Sequence, residues 1–184
     1  MPTPERTSLD EIVQAGRDIL ESAGVAGLTM QAVADRVGVR APSLYKRVRS
    51  RDDLLRLVVE ATVRDLGAQL NATATGGDPR RDLAELARAF RAFAHAHPLG
   101  CQLIFAPKAA GASLDALAAT AAPVLRATTL LAGEQHALQA ARTVTAWAYG
   151  FISMELAGAF QLGGDVEDAY EFGIAHIAGA LSAP

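Results

Sequence analysis

Alanine occupies 39 of the 184 positions, about a fifth of the chain. It is the strongest helix former, and Leu, Glu and Arg are also common, so helix is favoured throughout. Val, Ile and Thr do not gather into alternating runs and aromatics are only 5%, which argues against a β-sandwich or a large parallel sheet. The residues are 51% hydrophobic and 20% charged, enough to build a packed core and unlike a disordered chain. The expected fold is all-α with about nine helices. Charge and local helix signals divide it into a trihelical unit over 1–50 and a larger one over 51–184.

Cys101 is the sole cysteine, which excludes an internal disulfide or a Cys-rich zinc site and suits a cytosolic chain. The opening MPTPERTSLDE is polar and has no signal-peptide core. Residues 143–164 are long enough to span a bilayer and hold one charge, Glu155, in 22 residues. That charge lies near the middle, polar residues are scattered through the stretch, and no basic flank follows it. It reads as a buried helix of a soluble protein, with no membrane partner.

The net charge of −3 conceals an asymmetry. Residues 36–51 carry Arg36, Arg40, Lys46, Arg47, Arg49 and Arg51 and no acid, +6 within 16 residues. Residues 65–184 hold 7 basic and 11 acidic residues, a balance of −4. One compact basic patch on an acidic chain suits either a local polyanion contact or a solvated charged surface.

Local signals place that patch. Ser8 and Glu11 stand at capping-box spacing, and Ile12, Ala15, Gly16, Ile19, Leu20 and Ala23 follow on one apolar face up to Gly24. Thr29 is an N-cap for a second helix that turns Met30, Val33, Ala34 and Val37 inward and closes at Gly38. Pro42 suits the first turn of a third helix reaching about Val48, with Leu44 and Val48 inward. Ser50 then caps a fourth, with Asp52 and Asp53 in its first turn. Two short helices about a Gly-containing turn form a helix-turn-helix, and the patch falls on the second of them.

On these residues the stretch LTMQAVADRVGVRAPSLYKRVRSRDDLL, 28–55, resembles the DNA-binding domain of TetR-family transcriptional regulators. The resemblance covers 8–60 closely. Its features are Leu28-Thr29-Met30, the Gly38-Val39 turn, Pro42-Ser43-Leu44-Tyr45 and Arg51-Asp52-Asp53-Leu54-Leu55. Arg47 and Val48 depart from the His-Phe usual there. The resemblance implies a bacterial, cytoplasmic regulator whose partner is double-stranded DNA. Thr29 offers a hydroxyl and helix-end amides to a phosphate. Tyr45 meets a phosphate or packs half-buried. Arg47, Arg49 and Arg51 are phosphate clamps by charge and place, Arg49 alternatively a solvated turn residue. Arg40, Ala41, Pro42, Ser43 and Lys46 face the bases, with Gln31 at a position that also reaches bases in some family members.

Beyond the fourth helix, 51–72, the pattern gives a loop over 71–79 and a helix over 81–97 with Leu83, Leu86, Ala87, Phe90, Phe93 and Ala94 on one face. A short helix over 99–106, a loop over 107–112 and a helix over 113–131 kinked at Pro123 follow. A long helix over 134–162, 29 residues or about 43 Å, and a last one over 165–181 complete the pattern. The final two helices are apolar on most sides, which predicts a two-fold interface with a second copy. Ala146, Gly150, Ala157, Gly158, Phe172, Ile177 and Leu181 are the interface candidates. The spacing Trp147-x-x-Gly150-Phe151…Glu155-Leu156-Ala157-Gly158-x-Phe160 is similar to one C-terminal domain type of the family, loosely over 85–181.

A small, mainly apolar effector is expected among Phe90, Phe93, Leu103, Phe105, Leu117, Trp147, Phe151 and Met154, oriented by His97 or Glu155. Each of these side chains equally suits plain core packing, and Glu155 suits a buried partner. His95, His97, His136 and His176 show no metal-ligand spacing. No nucleophile triad, phosphate loop or carboxylate pair stands out, so neither an enzyme nor a cofactor is expected. The reading is a ligand-responsive homodimeric regulator, a repressor in the first instance, on a pseudo-palindromic operator. A helical module that binds an acidic protein through the same basic helix is the alternative.

Overall fold

The computed structural model describes residues 7–73, 76–106 and 111–182. The polar opening over 1–6, positions 74–75 of the first expected loop and 107–110 of the second lie outside the described residues. Among the described residues there are nine α-helices and no strand. The chain divides into two compact units, 1–65 with 97–116, and 66–96 with 117–184.

The first unit opens with α1, Leu9–Gly27. Ser8 and Glu11 form the capping box, Ser8 N donating to Glu11 at 2.7 Å and Glu11 N to the Ser8 hydroxyl at 3.1 Å. The helical path breaks at Gly24, φ 69°, and three more residues turn before Leu28. α2, Met30–Val37, begins at Thr29, whose hydroxyl accepts from Ala32 N at 3.1 Å. It ends at Gly38, φ 73°, a left-handed conformation that glycine adopts without penalty. α3 is Ala41–Leu44, shorter than the expected run to Val48. The reason is local: the Leu44 carbonyl accepts from both Arg47 N at 2.8 Å and Val48 N at 2.9 Å, tightening 45–47 into a turn that drops Val48 into the core. The core joins Ile12, Leu20, Leu28, Val33, Leu44, Val48, Leu54 and Val58, all at most 1% exposed, the last two from α4, Arg51–Thr73.

Residues 97–116 complete this unit. The Glu21 carboxylate accepts from Leu99 N at 3.0 Å and Gly100 N at 2.8 Å, the open first turn of α6, Pro98–Ile104. Glu60 accepts from Ser113 N at 2.6 Å and the Ser113 hydroxyl at 3.0 Å. Ser113 in turn caps α7, Leu114–Ala132, through Ala116 N at 3.2 Å. The backbone donation from Ser113 holds the Glu60 carboxyl below the usual glutamate range.

The second unit contains α5, Pro79–Ala96, the end of α4, most of α7, then α8, Ala137–Leu156, and α9, Val166–Leu181. All six residues expected on the apolar face of α5 are buried. α7 continues through Pro123, which cannot donate to the Ala119 carbonyl. Asn71 Nδ2 donates to that carbonyl instead, at 3.3 Å.

α8 corrects the expectation of a helix over 134–162. It has 20 residues, about 30 Å. Its end is a Schellman motif: Ala159 N donates to Met154 O at 2.9 Å, Gly158 N to Glu155 O at 2.9 Å, and Gly158 has φ 63°. Residues 157–164 are therefore exposed and non-helical rather than part of a buried helix, and the 143–164 stretch is not one span. Among the described residues only α7 is long and apolar enough to cross a membrane by length and composition.

Candidate nucleic-acid interface

The buried side of α3 is Leu44, and what remains of α3 and its flanks faces outward. Arg40 stands at the N-cap of α3, Ala41 is partly buried, and Pro42, Ser43, Tyr45, Lys46, Arg47 and Arg49 are exposed. Tyr45 is 54% exposed. Thr7, Gly38, Val39, Arg40, Ser43, Lys46 and Arg47 line one concave surface beside the helix-turn-helix. Thr29 and Gln31 are exposed on α2. The Thr29 oxygen accepts from the helix, which leaves its proton available to another acceptor. Gln31 donates to Asp35 at 2.6 Å along the helix face.

The six cations of 36–51 are not equivalent. Arg36 is paired with Asp18 at 2.8 Å. Arg40, Lys46 and Arg49 are exposed and form no ion pair among the described residues. Arg51 departs most from expectation. It is half-buried, and its guanidinium donates to the Leu28 carbonyl at 2.8 Å and to the Val25 carbonyl. Charge alone groups it with Arg47 and Arg49, and nothing local in the sequence marks that inward turn.

The candidate effector residues fall in both units. His97, Leu103 and Phe105 belong to the first. In the second, Phe90 and Phe93 are buried, Trp147 and Phe151 half-buried, and Leu117 and Met154 exposed. Trp147 stacks on Tyr170 at 5.0 Å, and Phe151 meets Tyr170 at 5.1 Å and Phe160 at 4.8 Å. Tyr170 is the centre of this cluster, a role its place in an apolar helix does not reveal. It is fully buried, and its hydroxyl donates to the Ala87 carbonyl at 2.8 Å.

Glu155 is held by the second unit's own cations. Arg91 donates to its two oxygens at 2.9 and 2.6 Å, and His95 lies at 3.1 Å. Arg91 also pairs with Glu167 and sits over the Tyr170 ring at 5.1 Å. The Arg91 contact keeps the Glu155 carboxyl below the usual glutamate range. Of the interface candidates, Ala146, Ala157, Gly158 and Phe172 are exposed, and Gly150, Ile177 and Leu181 are partly buried.

A short exposed helix flanked by basic residues and carried on a buried trihelical core defines a helix-turn-helix DNA-binding regulator. Residues 6–58 match the bacterial regulatory proteins of the tetR family, and residues 83–177 match the tetracyclin repressor-like C-terminal domain. An uncharacterised HTH-type transcriptional regulator of Mycobacterium tuberculosis is 32% identical over 160 residues, 84% of this chain and 73% of that protein. A protein of unknown function from Rhodococcus sp. RHA1 superposes with a TM-score of 0.84 at 25% identity, over 100% of both chains. A TetR variant of Acinetobacter baumannii AYE in complex with minocycline superposes with a TM-score of 0.69 over 95% of this chain and 96% of that one. At 21% identity that likeness is one of fold. The chain belongs to the TetR family of transcriptional regulators, a family of DNA-binding proteins and not of enzymes.

Proposed function

We propose that this regulator is a ligand-responsive repressor acting as a homodimer on a pseudo-palindromic operator in the cytoplasm. Residues 1–50 carry the DNA contacts and 51–184 the effector and dimer contacts. The observation that carries the DNA reading is the exposed set Arg40, Lys46 and Arg49 around α3, on a tightly packed core. Arg49, with Arg47, meets phosphates, and Arg40 and Lys46 reach base edges. Ala41, Pro42 and Ser43 stand beside them on the same helix start, and Thr29, Gln31 and Tyr45 flank it. Dimerisation through α8 and α9 is supported by the exposed Phe172, Leu138 and Met154 on those helices. A small effector is proposed because a protein of this fold from Acinetobacter baumannii was solved with minocycline. It acts only by favouring a state that matches the operator half-sites less well.

Selection of bound duplexes from a random pool, followed by a salt titration, tests the DNA reading. Lys46→Ala is expected to lose about 1–3 kcal/mol on the selected duplex and less on random DNA. Equal loss on both removes Lys46 from the base-reading set. No salt-dependent binding to any duplex favours the alternative, a module for an acidic protein.

A further inference from the structure

Arg51 lies in the first turn of α4, where a cation faces the positive end of the helix dipole. Its guanidinium nevertheless leaves that end and reaches the carbonyls of Val25 and Leu28. The last turn of α1 holds no basic residue of its own, so Arg51 supplies through space the cation that carbonyl-rich end lacks.

The carbonyls it holds belong to the connection between α1 and α2. Val25 O also accepts from Leu28 N at 3.3 Å, and Leu28 is fully buried. The next residue is Thr29, which caps α2. The anchor is itself fixed. Asp53 N donates to the Ser50 hydroxyl at 3.1 Å, and Arg49 N donates to the Asp53 carboxylate at 3.0 Å. One guanidinium fork therefore ties a braced turn of α4 to the residue before the α2 N-cap.

We infer that Arg51 is a positioning residue for DNA binding, which sets Thr29 and the start of α2 against a phosphate without touching DNA itself. The inference rests on the DNA reading above. It separates Arg51 from Arg47 and Arg49 within one run of cations.

The salt dependence of binding distinguishes the two roles. Removing one phosphate-binding cation makes the slope of log affinity against log salt shallower by about one. Arg51→Ala and Arg51→Lys are compared with the wild-type chain on a duplex selected from a random pool and on a random duplex, with the thermal midpoint of each variant measured alongside. Below their midpoints, both variants are expected to bind about tenfold more weakly with an unchanged slope, because an ammonium is a point charge and cannot bridge two carbonyls as a guanidinium does. A slope shallower by about one for Arg51→Ala, with Arg51→Lys near wild type, would make Arg51 a phosphate clamp and overturn the inference. A lowered midpoint with unchanged affinity of the folded variants would overturn it too, leaving Arg51 a purely structural residue. Wild-type protein that binds no duplex would remove the DNA reading itself, a result neither variant can produce.

Discussion

Glu155 shows how one charge is tolerated in an otherwise apolar stretch. Its carboxylate is only 14% exposed, and Arg91, 15% exposed, meets both of its oxygens. Arg91 holds the carboxyl below its usual value, burial opposes that, and His95 assists. A depressed folded-state value means the stabilisation is present above the unfolded value and is lost as pH falls through the folded one. Glu155→Gln is expected to cost about 1–3 kcal/mol at neutral pH, since Arg91 loses the carboxylate that meets two of its nitrogens and keeps its contact with Glu167. In denaturant titrations the gap between wild type and variant should close as pH drops through about 4.5 and below. A gap that is independent of pH would mean that charge is not what Glu155 contributes. In the structure Glu155 has a partly buried charged partner, Arg91. The sequence does not single out Arg91, because it is one of several arginines on α5 and its partner lies 64 positions away. The exposed residues of α3 are legible, because turn chemistry and charge coincide there. The inward turn of Arg51 is not, because it depends on carbonyls 23 and 26 positions earlier.

At the scale of elements, α8 and α9 approach closely at Gly173. A Cβ added there would lie 2.4 Å from Cζ2 and 3.0 Å from Cε2 of Trp147. The indole cannot yield easily, being stacked on Tyr170 and tilted against Phe151 at 5.9 Å. Helix propensity alone would make Gly173→Ala stabilising by about 0.5–1 kcal/mol. The clash predicts the opposite sign, a loss of about 1–3 kcal/mol by chemical denaturation. Trp147→Phe in the same chain should recover part of that loss, because the smaller ring vacates the Cζ2 position. A stabilised Gly173→Ala would show the two helices free to separate there. Helix starts are legible from their caps: Ser8, Thr29, Ser113 and Asp165 each accept from the first turn they precede. Helix ends are less so. The run from Ala157 to Leu162 is apolar but for Gln161, so periodicity carries α8 past its true end, whereas Gly158 with its left-handed backbone ends it. The turn after Leu44 misleads in the same way, because Val48 packs inward whether or not the helix reaches it.

For the whole molecule, the division at 65/66 and the return of 97–116 to the first unit differ from a boundary at 50/51. The ties that hold that segment are the carboxylates of Glu21 and Glu60 on backbone amides far along the chain, and such ties have no local signature. The apolar surface left on α8 and α9 is visible as composition, and it sets the assembly prediction. Phe172 is 66% exposed and lies tilted against His176, ring centroids 3.8 Å apart, so it can take a charge without disturbing the core of its own chain. Gly158 is a poor probe, because any side chain strains its backbone. Phe172→Glu is expected to leave the melting of the separated chain unchanged while sedimentation shows a monomer, since an unpaired charge buried in an interface costs several kcal/mol. The consequence for DNA follows from symmetry. Two half-sites about 34–36 Å apart are bound together only by linked recognition helices. The monomeric variant should therefore lose on the order of a hundredfold on a palindromic duplex while binding a single half-site as wild type does. A variant that stays dimeric at wild-type stability places the interface elsewhere on the chain. A monomer that still binds the palindrome as tightly as wild type would mean that DNA is not gripped by two linked copies.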